Sequence, residues 1–262
     1  MSEIRRVRLK GLPFNRMIPN ILTLLALCAG LTALRFGLQE RWEHALLAIL
    51  VAAILDGLDG RIARILKGAS KFGAELDSLS DFVCFGVAPA LLLYLWTLQG
   101  AGQMGWMLSL LFSVCGALRL ARFNTNLDVP PPPWSRNYFT GVPAPAGGCL
   151  ALMPMALTFQ FGDGFFREPA FVGTLIFIIA LLMVSRVPTY SGKRIRIEHR
   201  WILPTMLLVG LLAAAFVSAP WMTLWLVAVI YVASIPFSIR SYRQQKAEAE
   251  RQTPDSLPEA SA

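Results

Sequence analysis

The chain has 262 residues, of which 55% are hydrophobic and only 15% are charged. A soluble domain ordinarily carries about 25% charged residues, so this composition excludes an ordinary soluble protein and indicates one that resides in a membrane. The net charge of +8 suits contact with anionic lipid head groups. No feature of the sequence points to nucleic acid as a partner.

Apolar segments of about 20 residues, the length that crosses the hydrocarbon core of a bilayer, recur along the chain. Lipid offers the backbone no hydrogen bonds, so each segment is expected to be helical. The sequence therefore predicts an all-α, polytopic membrane helix bundle of about eight transmembrane helices. The expected spans lie near residues 18–38, 44–66, 75–98, 104–123, 142–161, 169–186, 201–217 and 219–238.

This pattern divides the chain into three regions. Residues 1–17 are expected to form a basic, interfacial segment on the cytoplasmic side, and residues 18–240 a single transmembrane domain that carries the candidate site. Residues 241–262 form a polar tail that is expected to be disordered. If both termini lie in the cytoplasm, 21 of the 24 lysines and arginines fall on the cytoplasmic side, as the positive-inside rule requires.

Residues 56–81, DGLDGRIARILKGASKFGAELDSLSD, carry unusual charge for a stretch between apolar runs. If the second span continues through residue 66 and the third begins near 73, the acidic and small residues share one face of each helix. Two antiparallel neighbours can turn those faces together at the cytoplasmic surface. The residues concerned are Asp56, Asp59, Gly60 and Ala63 on the second span, and Gly73, Asp77 and Asp81 on the third.

Four converging carboxylates repel one another unless cations lie between them, and oxygen-only ligands favour Mg²⁺, Mn²⁺ or Ca²⁺. Two such ions can clamp a phosphoryl group during its transfer, and Arg64 could bind the same phosphates. Other interpretations stay open. Aspartates on a helix are commonly a solvated face, and small residues in membrane helices commonly allow close packing. A divalent-cation transporter is a further alternative, although the carboxylates cluster at one surface rather than at the midplane.

The pattern Asp-x2-Asp-Gly-x2-Ala-Arg-x8-Gly-x3-Asp-x3-Asp, beginning at Asp56, resembles the signature of the CDP-alcohol phosphatidyltransferase family at all eight positions. The resemblance implies a membrane enzyme that transfers a phosphatidyl group from CDP-diacylglycerol to an alcohol and releases CMP. It also implies a six-helix core, here with two added helices, and a homodimer. The two divalent cations, usually Mg²⁺ or Mn²⁺, would be held by Asp56, Asp59, Asp77 and Asp81, and Asp81 would also be the general base. The CDP-diacylglycerol site would include Gly60, Ala63, Arg64 and Gly73.

Four looser stretches are similar to the bacterial phosphatidylserine synthase branch of this family. They are IPNILT (18–23), RLARFN (119–124), FTGVPAPAG (139–147) and SRVPTYSGK (185–193). This similarity implies L-serine as the acceptor and a location in the bacterial inner membrane, with the active site facing the cytoplasm. Choline, glycerol 3-phosphate and inositol phosphate stay open as acceptors, because the eight-position signature does not separate them.

Serine carries a carboxylate, so its site should offer an arginine near the metals. The candidates at cytoplasmic span ends are Arg119, Arg122 and Arg186, and positive-inside anchoring explains each of them about equally well. Asn20 and Thr23, at the start of the first span, are candidates for contact with CDP-diacylglycerol. Residues of these types more often cap or anchor the start of a helix.

Overall fold

The computed structural model describes residues 17–66, 70–125, 132, 138–190 and 201–252. The described residues form a helical bundle with one short sheet, which confirms the all-α fold class. The predicted basic segment lies outside the described residues except for Met17. The helices are α1 (Met17–Leu38), α2 (Trp42–Ile65), α3 (Lys71–Asp81), α4 (Ala88–Trp96), α5 (Gly102–Thr125), α6 (Ala144–Ala151), α7 (Met153–Phe161), α8 (Pro169–Val184), α9 (Ile202–Ser218) and α10 (Pro220–Gln252).

Short turns join some of these helices into longer segments. A π-helical turn, Phe82–Val87, directly follows α3 and links it to α4. Such turns are rare and occur frequently at functional sites. Two 3-10 turns, Leu98–Ala101 and Phe165–Arg167, lead into α5 and α8.

Within the described part of the chain, five helical segments are long and apolar enough to cross a membrane. Two further apolar helices, α8 and α9, are shorter, with 16 and 17 residues. The remaining predicted span, α2, has 24 residues but includes acidic and basic side chains. Each predicted span thus coincides with helical structure, while the count of eight crossings stays a prediction. The five long segments are Met17–Leu38, Lys71–Trp96, Leu98–Thr125, Ala144–Phe161 and Pro220–Ala249.

The first three helices pack closely and position the charged stretch. α1 and α2 are joined by only three residues and pack against each other. Two side chains then fasten α1 to the segment that begins with α3. The Ser80 hydroxyl donates to the Thr23 carbonyl at 3.3 Å, and the Cys84 thiol donates to the Ala26 carbonyl at 3.3 Å. These contacts hold the acidic faces of α2 and α3 beside the start of α1.

A two-stranded antiparallel sheet, which the sequence analysis did not predict, closes the same end of the bundle. β1 (Tyr138–Thr140) pairs with β2 (Pro188–Tyr190) so that Tyr138 lies opposite Tyr190. Gly141 follows β1 with a φ of +79°, and a Cβ there would lie 2.7 Å from the Met183 carbonyl oxygen. Only glycine fits such a position without strain. The turn brings the looser sequence stretches around 139–147 and 185–190 into contact.

The last two helices lie at the periphery. None of the residues of α9 is buried, whereas α10 packs against α7 and β2. α10 continues through residues 241–252, for which the sequence analysis predicted disorder. That part of the prediction is corrected: the segment is rich in Gln, Lys, Ala, Glu and Arg, all strong helix formers. Residues 253–262 lie outside the described residues.

Candidate active site

Three aspartates from two helices converge in the structure. Asp56 and Asp59 lie one turn apart on α2, and Asp77 projects from α3. Each offers a carboxylate oxygen, and these three oxygens all lie within 4.8 Å of one another. Asp59 is only 4% exposed. The expected meeting of the two acidic helix faces is therefore present.

Asp81, the last aspartate of the signature, ends α3 and adjoins Asp56. One oxygen of Asp77 and one of Asp81 are buried without a hydrogen-bond partner among the described residues. Unpaired carboxylate oxygens in a confined space are costly, and like charges this close repel strongly. Hard divalent cations would bind the unpaired oxygens, which are their preferred ligands, and would offset the repulsion between the carboxylates. The donor set thus fits divalent-metal binding.

Thr23 contributes to the site through an aspartate. Its hydroxyl lies 2.6 Å from Asp59 Oδ2 and 3.1 Å from the Pro19 carbonyl oxygen. A hydroxyl has one proton, and the shorter distance favours donation to the carboxylate, since hydrogen bonds to charged groups are shorter and stronger. Thr23, expected to contact the nucleotide, therefore orients a candidate metal ligand. The sequence held no signal for this contact, because 36 positions separate the two residues.

A pocket of about 150 Å³ opens beside the aspartates, between the start of α1, the end of α2 and the start of α3. Five of the residues predicted to contact CDP-diacylglycerol line it together with two of the aspartates. Ser70, which accepts a hydrogen bond from the Gly73 amide at 3.0 Å and caps α3, is a lining residue to which no binding role was assigned. Its sequence signal is a serine three residues before a helical position. The lining consists of Pro19, Asn20, Thr23, Asp59, Gly60, Ala63, Ser70, Gly73, Ala74 and Asp77.

The two signature glycines in this pocket have different surroundings. A Cβ added at Gly60 would meet no atom within 4 Å. A Cβ at Gly73 would lie 2.8 Å from Asn20 Oδ1 and 3.1 Å from Ser70 Oγ. Gly60 therefore leaves space in the pocket, whereas Gly73 allows α3 to approach α1.

Arg64, expected to contact the diphosphate, lies one turn beyond Gly60 and is exposed. Its Nε donates to the Gly60 carbonyl oxygen at 3.0 Å. This bond leaves both terminal guanidinium nitrogens for other acceptors.

The three candidate acceptor arginines have distinct environments. Arg119 of α5 is 8% exposed, and its charge interacts with Asp81 and Asp56. Arg122, one turn later, donates from Nη1 to the Val184 carbonyl oxygen at 2.6 Å, which ties α5 to the end of α8. Arg186 is exposed between α8 and β2. Of these three described arginines, only Arg119 interacts electrostatically with the aspartates.

The fold and the site together define a helical membrane protein with buried carboxylates beside a pocket at one end of the bundle. A family model described as CDP-alcohol phosphatidyltransferase matches residues 16–187, and one described as CDP-alcohol phosphatidyltransferase 2 matches residues 200–236. The chain belongs to the CDP-alcohol phosphatidyltransferase family, and the expectation that it is an enzyme of this class is confirmed. The cation-transporter alternative gains no support.

Several relatives carry the name CDP-diacylglycerol–serine O-phosphatidyltransferase. The protein of that name from Mycobacterium tuberculosis is 39% identical over 229 residues, covering 87% of this chain and 80% of the relative. The Mycobacterium leprae protein is 40% identical over 236 residues, covering 90% and 78%. The Bacillus subtilis protein is 38% identical over 189 residues, covering 70% and 98%. The similarity extends well beyond the eight-position signature.

Proposed function

We propose that this enzyme transfers the phosphatidyl group of CDP-diacylglycerol to L-serine, yielding phosphatidylserine and CMP. The observation that carries the chemistry is the convergence of Asp56, Asp59 and Asp77 within 4.8 Å beside a pocket lined by the signature's small residues. The names of the relatives support serine as the acceptor.

In this proposal Asp56, Asp59, Asp77 and Asp81 would hold two divalent cations, Mg²⁺ or Mn²⁺. Such cations would supply charge neutralisation of the diphosphate, which favours its cleavage. Gly60 and Ala63 leave room for the cytidine, Arg64 contacts the diphosphate, and Asn20 and Gly73 form the opposite wall of the pocket.

The proton transfer is assigned to Asp81. Its carboxylate accepts the proton of the serine hydroxyl, the serine oxygen bonds to the lipid-linked phosphorus, and the bond from that phosphorus to the CMP oxygen breaks. CMP leaves with the bonding electron pair. Asp81 suits this role because its carboxylate lies at the end of α3 and interacts with the buried Arg119 guanidinium.

Arg119 is the proposed partner of the serine carboxylate, because its guanidinium is buried near Asp81. Arg122 is the weaker candidate, since one of its nitrogens already binds the Val184 carbonyl. Arg186 is a third candidate, on an exposed segment beside β2.

The location of the reaction follows from the same proposal. The site and both termini face the cytoplasm, and the protein resides in the bacterial inner membrane, where lipid tails stay in the bilayer while serine arrives from water. The homodimer expected from the family resemblance is retained as part of the proposal. Cross-linking of the purified protein in detergent would test it: a covalent dimer is expected, and a protein that stays monomeric would contradict it.

The decisive experiment measures CMP release by the purified protein with CDP-diacylglycerol, Mn²⁺ or Mg²⁺, and one acceptor at a time. Release is expected with L-serine and not with choline or glycerol 3-phosphate, and EDTA should abolish it reversibly. Release with choline or glycerol 3-phosphate and none with serine would replace the proposed acceptor.

The role of Asp81 needs a matched pair of variants. Asp81→Asn keeps the shape of the side chain but cannot accept the proton, so CMP release should be lost. Asp163→Asn is the control, because Asp163 is an exposed aspartate whose only ion pair within the described residues is with Arg167. Full activity of Asp81→Asn would refute the assignment of Asp81 as the base.

A further inference from the structure

Arg119 has a second neighbour that the signature does not include. Tyr231 lies on α10, and its hydroxyl is close enough to interact electrostatically with the Arg119 guanidinium. The same guanidinium interacts with Asp81 and Asp56. Arg119 therefore links the Tyr231 hydroxyl of α10 to the carboxylate cluster.

The Tyr231 hydroxyl and the Arg119 Nε are buried, and both have hydrogen-bonding capacity that no described residue fills. The Tyr231 hydroxyl and Arg119 Nε have no hydrogen-bond partner among the described residues. The Thr189 hydroxyl on β2 interacts with the Tyr231 hydroxyl without meeting hydrogen-bond geometry, and it donates its own proton to the Gly141 carbonyl oxygen at 2.9 Å. Buried polar groups in proteins are nearly always hydrogen-bonded, so two such groups that also interact electrostatically call for a partner that both can bind.

The chemistry of that partner follows from the two groups. A guanidinium only donates hydrogen bonds, and a phenol hydroxyl can donate one. A carboxylate only accepts, and it pairs particularly well with a guanidinium. A choline acceptor lacks this group and would call for an aromatic cage instead.

We propose that Tyr231 of α10 is a specificity-determining residue whose hydroxyl donates a hydrogen bond to the carboxylate of bound serine, beside Arg119. This inference rests on the proposed function, since it presupposes serine as the acceptor. It gives α10, which lies outside the signature, a direct part in the acceptor site. The serine is then held with its carboxylate on Arg119 and Tyr231 and its hydroxyl toward Asp81.

The test compares Tyr231→Phe with the wild type and with Tyr94→Phe in purified protein. Tyr94 is a partly buried tyrosine on α4 that packs edge-on against Trp106, with ring centroids 5.1 Å apart, so its variant controls for loss of a tyrosine hydroxyl elsewhere. Loss of one hydrogen bond to a charged group should raise the KM for L-serine about tenfold in Tyr231→Phe. The KM for CDP-diacylglycerol and the thermal unfolding midpoint should stay unchanged, as should all constants of Tyr94→Phe.

Tyr231→Met is a second variant, which fills similar space without a donor and is expected to raise the serine KM in the same way. Glycerol 3-phosphate is assayed in parallel, since its phosphate is also an anionic acceptor. If activity with glycerol 3-phosphate falls in both variants while the serine KM is unchanged, Arg119 and Tyr231 bind a phosphate and the inference is overturned.

The two proposals fail in different ways. A wild-type enzyme without serine-dependent CMP release refutes the proposed function before any variant is made. A normally active wild type with unchanged serine KM in Tyr231→Phe and Tyr231→Met refutes only the role of Tyr231.

Discussion

Replacing Thr23 by valine would test whether a neighbour of the aspartates controls metal binding. Valine keeps the branched shape in a position that is only 4% exposed, but it removes the hydroxyl that lies 2.6 Å from Asp59 Oδ2. Asp59 then loses the side-chain donor that orients it. Loss of a hydrogen bond to a charged group costs roughly 1.5–3 kcal/mol, and loss of a group that orients a metal ligand typically lowers metal affinity about 10- to 100-fold. We expect the Mn²⁺ concentration for half-maximal activity to rise by at least about tenfold.

Two measurements and two further variants make this prediction specific. Mn²⁺ binding is followed by the loss of the free-ion signal in electron paramagnetic resonance, and CMP release is followed as a function of Mn²⁺. Thr23→Ser, which restores a hydroxyl, should recover most of the affinity. Thr32→Val is the matched control, because Thr32 is on the same helix and donates to the Cys28 carbonyl oxygen. Unchanged Mn²⁺ binding in Thr23→Val, or an equal loss in Thr32→Val, would refute the reasoning.

Two further pairs of variants separate ligand binding from packing. Gly60→Ala points a methyl group into the open space of the pocket, so we expect a normal unfolding midpoint and a raised KM for CDP-diacylglycerol. In Gly73→Ala the new methyl group would lie 2.8 Å from Asn20 Oδ1. This variant should both raise that KM and lower the unfolding midpoint. Equal effects of both variants on the midpoint would contradict the distinction. Arg119→Ala should raise the KM for serine by roughly tenfold or more, since a charge-assisted contact is lost, while Arg122→Ala should mainly reduce stability because it frees the end of α8. The KM for serine and the thermal unfolding midpoint are measured for both variants. A raised serine KM in Arg122→Ala, with a lowered midpoint in Arg119→Ala, would contradict these roles.

Much of the architecture could be predicted because its signals are local. Apolar runs of about 20 residues mark the helices, and the i, i+3, i+4 spacing places Asp56 and Asp59 on one face of α2. The convergence of these residues with Asp77 followed from the short connection between the two helices. The end of α10 was missed because a polar composition was interpreted as disorder, although its residues favour a helix. The β1–β2 pairing was missed because strands of three residues, separated by 47 residues, leave little pattern.

The sequence by itself determined that the protein is a helical membrane bundle, and its eight-position signature indicated the family and the acidic residues of the site. Only the tertiary structure decided that Thr23 binds Asp59 and does not simply cap its helix. It also decided that Arg119, alone among three similar arginines, interacts electrostatically with the aspartates. It also brought Tyr231 of α10 within electrostatic range of Arg119 of α5, across 112 positions of sequence. Helical periodicity fixes which residues share a face, but it carries no information on the rotation and depth at which distant helices pack. Those two quantities determine which hydroxyl and which guanidinium reach the carboxylates.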